Sequence, residues 1–152
     1  SGSQEIIDAM DRRVDVNHVK KIIQDTNAMG IETGTFIMLG YPGETEKNID
    51  ETIQYLKEAK PTHYTITVAY PIKGTSLYKE IEDKITQQPD WEISTDRDID
   101  FKRTYSRKYY NYAVSKVVNE VEFDREISKT SLKAIKLKTK SLLASGLMKI
   151  SK

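Results

Sequence analysis

A chain of 152 residues, 38% hydrophobic and 31% charged, is sized for one soluble globular domain with a single modest core. No apolar run approaches the ~18 residues of a membrane span, and the opening Ser1-Gly2-Ser3-Gln4-Glu5 lacks the basic and apolar regions of a signal peptide, so a cytoplasmic protein is expected. The absence of cysteine excludes disulfides, thiolate nucleophiles and cysteine-ligated zinc or iron-sulfur centres in this chain. A net charge of +1 conceals an asymmetry: Glu126 is the last acid, and seven lysines (129, 133, 136, 138, 140, 149, 152) follow it.

In chain order, Asp15 is placed to cap a helix running to Met29, with Val19, Ile22, Ile23 and Met29 as its apolar stripe and Gly30 just past its end. Ile31 to Leu39 reads as a strand covered on both faces, since it is apolar at nearly every position after Gly34. After Gly40-Tyr41-Pro42-Gly43, Thr45 caps a helix with Ile49, Ile53 and Leu56 at helical spacing to about residue 59. Residues 63 to 69 alternate as a second strand, and after Tyr70-Pro71-Ile72-Lys73-Gly74, Thr75 caps a helix from Ser76 to about Ile85. Residues 89 to 100 read as polar and irregular, residues 105 to 121 as an aromatic-rich helix, and residues 128 to 148 as a helix with Leu132, Ile135, Leu142 and Leu143 on its apolar side.

The α-β-α-β-α rhythm with short connections is that of parallel βαβ units. Two strands are too few for a self-sufficient parallel sheet, so the chain looks cut from something larger. Both strands end in corners carrying proline and glycine. Pro42-Gly43 suits a type II turn, with proline fixing φ at the second position and glycine accepting positive φ at the third. Such a corner is a plain connection, or, ahead of a helix N-terminus, a seat for polar ligand atoms. It is no nucleotide P-loop, because no Gly-Lys-Ser/Thr follows. Two such corners on adjacent parallel strands point to one rim, where α/β folds place their sites.

Elsewhere the structural readings prevail. His18 and His63 have no partners at metal spacing, no Gly-x-Ser-x-Gly appears, and the acids Glu44, Glu46, Asp50 and Glu51 sit where a helix dipole favours them. Tyr105, Tyr109, Tyr110 and Tyr112, beside Arg103, Arg107 and Lys108, either stack on a planar ligand or pack their helix onto a neighbour. The lysine-rich end reads as a solvated outer helix, since it shows no hydrophobic face with anchoring Trp or Phe.

Ser1-Gly2-Ser3-Gln4 with Ile7, Met10 and Arg12-Arg13, Gly40-Tyr41-Pro42-Gly43-Glu44-Thr45, and Pro71-Ile72-Lys73-Gly74-Thr75-Ser76-Leu77-Tyr78 resemble, in order and spacing, the later half of the barrel in radical SAM enzymes. The subgroup most resembled carries an N-terminal cobalamin-binding domain and is similar to anaerobic tetrapyrrole cyclases and methyltransferases. The likeness implies an α/β fold: a partial (βα) barrel of two parallel strands with flanking helices over residues 1–86, then a C-terminal helical extension over 87–152. It implies a parent enzyme of oxidoreductase or methyltransferase type that uses S-adenosylmethionine (SAM) and a [4Fe-4S] cluster. In that family the cluster reduces SAM to a 5′-deoxyadenosyl radical from a CxxxCxxC motif, which a chain without cysteine does not supply.

By position, the resemblance assigns Phe36, Met38, Leu39, Gly40, Pro42 and Gly43 to the SAM adenine. It assigns Ser1 and Ser3 to the ribose, Arg12 or Arg13 to the methionyl carboxylate, and the backbone around Ala69, Tyr70 and Pro71 to the rest of the adenine pocket. Methylthiotransferase-like members carry Gly and Ile where this chain has Phe36 and Met38. The expected partner is the upstream half of the same barrel, with self-association of the isolated piece through its open edges; neither nucleic acid nor membrane is expected. Two rival readings remain: a non-catalytic interaction module working through the basic helix, and a phosphate-binding barrel fragment with phosphate at the two corners.

Overall fold

The computed structural model describes residues 1–87 and 95–152. The polar stretch anticipated from residue 89 therefore lies, up to residue 94, outside the described residues. In chain order the elements are α1 (Gln4–Ala9), α2 (Val16–Ala28), β1 (Gly34–Leu39), α3 (Glu46–Ala59), β2 (His63–Val68), α4 (Ser76–Ile81), β3 (Ile85–Gln87), β4 (Asp100–Phe101), α5 (Arg107–Arg125) and α6 (Leu132–Ile150). This is an α/β architecture in which β1 and β2 pair in parallel, Gly34 opposite His63 and Leu39 opposite Val68.

Local chemistry explains the boundaries. Asp15 accepts the amide proton of His18 at 2.6 Å to start α2, and Gly30, at φ 79°, takes the left-handed conformation that ends it. Thr45 and Asn48 form the reciprocal cap that opens α3. The anticipated third helix is shorter than its pattern, because Glu82–Lys84 tightens into a 3-10 turn and feeds β3. A second sheet was not legible: β3 pairs antiparallel with β4 across an irregular register.

Two expectations are corrected. β1 is covered on one face, not both. Thr35, Ile37 and Leu39, with Tyr64, Ile66 and Val68 of β2, turn toward the helical core of α3 and α5. On the other face Phe36 is 87% exposed, and His63, Thr65 and Thr67 are exposed beside it. The second correction concerns α6. Its buried residues are Ala134, Ser141, Ala144 and Met148, whereas Leu132, Ile135, Leu142 and Leu143 point outward. Small residues let two helix backbones approach closely, so the narrow Ala/Ser stripe lies against α5 and the bulky one is left outside.

The core is built from α3 and α5 against the sheet, with Ile49, Leu56, Tyr109, Tyr110, Ala113 and Val117 fully buried. The tyrosine cluster is therefore packing: Tyr109 and Tyr110 are 0% exposed and meet edge to face at 5.4 Å. Glu120 ties three helices, accepting from Lys57 of α3 at 2.9 Å and from Lys138 and Ser141 of α6 at 2.7 Å each.

Candidate functional site: the corner after β1 and the groove along its free edge

The corner after β1 has the geometry its sequence implies. The Glu44 amide donates to the Tyr41 carbonyl at 3.0 Å, closing a turn with Pro42 and Gly43 inside it, and Gly43 has φ 85°. Gly40 also has a positive φ, 80°, and a Cβ there would lie 3.2 Å from the Tyr110 ring. The positive φ favours glycine at Gly40, and the Tyr110 ring would have to give by a few tenths of an ångström to admit a Cβ. The Tyr110 hydroxyl donates to the Glu44 carbonyl at 2.9 Å, locking corner to helix.

Glu44 is the residue that sequence reasoning passed over. It precedes the cap of α3, yet its side chain is fully buried and folds back across the corner, where one carboxylate oxygen accepts the Gly40 amide. The other oxygen has no partner. Burial pushes this carboxyl up to about 7, against the Gly40 bond that favours the ionised form. The acid of the Gly-Tyr-Pro-Gly-Glu run was the available signal; the helix dipole offered a sufficient explanation and concealed its burial.

This shift has a measurable consequence. A carboxyl whose pKa is raised by folding leaves stability intact below its unfolded value, 4.5, and costs stability as pH rises to about 7. The full cost is on the order of 3 kcal/mol. Glu44→Gln retains an acceptor for Gly40 and cannot ionise. In denaturant unfolding at pH 5 and pH 8, the wild-type chain should lose stability relative to Glu44→Gln at the higher pH; parallel profiles would show that Glu44 titrates normally.

At the same end of the sheet, the Ala69 amide donates to the Leu39 carbonyl at 2.7 Å, so the two corners share one rim. Arg103 approaches this rim from beyond β4. Its side chain is 1% exposed, it donates to the Ala69 carbonyl at 2.9 Å, it pairs with Asp100, and it stacks on Phe101 with 4.0 Å to the ring centroid. Sequence alone grouped Arg103 with the tyrosines; here it fastens the exit of β2.

Along the free edge of β1 runs a groove of about 230 Å³, bounded by Ser1, Met10, Arg12, Val16, Phe36 and Met38 among others. Four of the residues assigned to SAM, namely Ser1, Arg12, Phe36 and Met38, are thus brought together. Arg12 lines the groove, while Arg13 pairs with Asp11 at 3.2 Å. Gly40, Pro42 and Gly43 form the corner, and Ala69, Tyr70 and Pro71 the neighbouring one. Leu39 and Ser3 face inward: Leu39 belongs to the core, and the Ser3 hydroxyl accepts from Asn48 at 3.0 Å.

Compared with curated proteins, the chain is 29% identical over 94 residues to a tRNA-2-methylthio-N(6)-dimethylallyladenosine synthase of Fervidobacterium nodosum, a match covering 57% of this chain and 21% of that protein. A synthase of the same name from Clostridium botulinum is 32% identical over 94 residues, covering 57% and 20%. A probable threonylcarbamoyladenosine tRNA methylthiotransferase of Methanocaldococcus jannaschii is 32% identical over 92 residues, covering 58% and 22%. These relatives are radical SAM enzymes. The chain spans about a fifth of the length of the curated relatives it matches. It matches no family model.

The residues present fit the cofactors of such enzymes unequally. For SAM they offer an apolar groove with a guanidinium and a hydroxyl on its rim, and an unpartnered buried carboxylate oxygen in the adjoining corner. For a cluster they offer nothing: cysteine is absent, and among the described residues no group of three or more His, Cys, Asp or Glu is arranged for a metal ion. Among the described residues no helix is long and apolar enough to cross a membrane.

Proposed function

We propose that this chain is the later part of a radical SAM barrel and provides the adenine and ribose side of the SAM site. The observation that carries this reading is the state of β1. A strand apolar on both sides packs one face on the helical core, while on the other Phe36 is uncovered and Met38 half-buried beside a groove along the free edge. Unpaired edge backbone and an uncovered Phe36 are what remain when the preceding strands of a barrel belong to another segment. The upstream half of the same barrel is the partner proposed for them.

Within that site, Phe36 and Met38 flank the adenine, backbone of the Gly40–Gly43 and Ala69–Pro71 corners meets its polar edge, and Ser1 faces the ribose. Arg12, whose planar guanidinium matches a carboxylate in a two-pronged pair, takes the methionyl carboxylate. Glu44 and Arg103 shape the two corners from behind and hold their backbone groups in place. The cluster supplies the electron for SAM cleavage when bound, and its ligands come from outside this chain. The narrower affinity with the cobalamin-domain subgroup rests on the order and spacing of the sequence motifs alone.

The chain alone is then catalytically inert. Anaerobic incubation with iron, sulfide, reductant and SAM should give no iron-sulfur absorbance and no 5′-deoxyadenosine. Appearance of both would overturn the reading.

A further inference from the structure

α6 carries two apolar faces, of which only one is used inside the protein. Ala134, Leu137, Ser141, Ala144 and Met148 recur at three- and four-residue spacing on the side packed against α5. On the opposite side, at ~100° per residue, Leu132, Ile135, Leu142, Leu143, Leu147 and Ile150 fall within an arc of roughly 140°. They are 87%, 53%, 63%, 62%, 41% and 84% exposed. The arc is interrupted near mid-helix, where Lys136 and Thr139 fall inside it, so its main aliphatic patch is Leu142, Leu143, Leu147 and Ile150, with Leu132 and Ile135 a smaller one nearer the start. Exposed apolar patches of this kind mark interaction sites.

Charge follows the ridge. Lys133 and Lys140 border one margin, Lys138 and Lys149 the other, Lys136 lies within the arc, and no acid occurs after Glu126. Lys133 and Lys138 are paired, with Glu126 and Glu120, while Lys136, Lys140 and Lys149 have no ion pair among the described residues. The helix is already formed and anchored. The Ser131 hydroxyl accepts the Ala134 amide at 3.0 Å, the Ser106 hydroxyl donates to the Ser151 carbonyl at 2.6 Å, and Lys152 reaches Glu46 at 3.0 Å.

We propose that the outer face of α6 docks on an anionic lipid surface, lying parallel to it. A second copy is disfavoured, because pairing two such ridges sets lysine margins against lysine margins. An acidic partner helix is the rival occupant, and it would leave the chain without binding to either kind of vesicle in the test below. A soft interface accepts a convex apolar ridge, while flanking lysines extend along its margins to anionic headgroups. The sequence pattern read as a solvated helix because no anchoring Trp or Phe marks a hydrophobic face.

The test uses the full chain, sedimented with vesicles of phosphatidylcholine alone and of phosphatidylcholine with an equal part of phosphatidylglycerol. Binding to the mixed vesicles at low salt should be at least tenfold tighter than to the neutral ones. The Leu142→Glu, Leu143→Glu double variant should lose at least tenfold with unchanged circular dichroism. Changing Lys136, Lys140 and Lys149 to Gln should weaken binding and flatten its salt dependence. Equal binding to both vesicles, no binding to either, or a double variant that binds like the wild type would overturn the proposal. So would self-association in sedimentation velocity abolished by Leu142→Glu, which would give the face to a second copy.

Discussion

Tyr110→Ala should lower the unfolding free energy by about 3–5 kcal/mol, the range for deleting a large buried aromatic. Three separate contacts are lost together. The ring packs against Gly40, meets Tyr109 edge to face at 5.4 Å, and carries the hydroxyl that donates to the Glu44 carbonyl at 2.9 Å. In a domain of this size that loss is a fall in Tm of roughly 6–20 °C. Tyr110→Phe separates the contributions: the ring stays, one buried carbonyl loses its donor, and the expected cost is about 1–2 kcal/mol. Paired denaturant titrations of the two variants check this. Equal costs would mean that the hydroxyl carries the whole effect; no cost for either would remove Tyr110 from the support of the corner.

Glu120→Gln should cost about 2–3 kcal/mol and loosen α6 from the rest of the chain. The carboxylate has 13% side-chain exposure and serves Lys57, Lys138 and Ser141 at once. Burial opposes its ionisation, but the bonds from Lys138, Ser141 and Lys57 outweigh it and hold the carboxyl down at about 2. Removing the charge leaves two ammonium groups without their partner, a large penalty for interior pairs, reduced here by solvent near Lys138. A carboxyl depressed by folding contributes stability above its unfolded value, 4.5, and loses it as pH falls toward 2. Wild type and Glu120→Gln should therefore differ most at neutral pH and converge in acid. A gap undiminished at pH 2.5 would show that the loss is one of shape and not of charge.

What was legible from the residues depended on how local the cause was. Asp15, Thr45 and Thr75 cap their helices through bonds spanning three residues, and the Pro42-Gly43 turn closes within four, so these features are written in short motifs. The burial of Glu44 depends on Tyr110, 66 residues away, and no local pattern announces it. For α6, hydrophobicity pointed the wrong way, because close packing against α5 selected Ala134, Ser141 and Ala144 over the larger aliphatics. β1 was legible as an apolar strand, but apolarity on both sides records what a strand is suited to meet, and here one face is left open at Phe36 with Met38 only half-buried. The β3–β4 pairing escaped because two- and three-residue strands carry no period.

The central claim is that the β1 groove and the two corners form the adenine and ribose side of a SAM site. Amide chemical-shift mapping of the full chain, titrated with S-adenosylhomocysteine and separately with inorganic phosphate, tests it most directly. The account predicts shifts from S-adenosylhomocysteine over Phe36 to Gly43, Ala69 to Tyr70, and Arg12, with little response to phosphate. Shifts from phosphate at the two corners, with none from S-adenosylhomocysteine along Phe36 to Gly43, would contradict it.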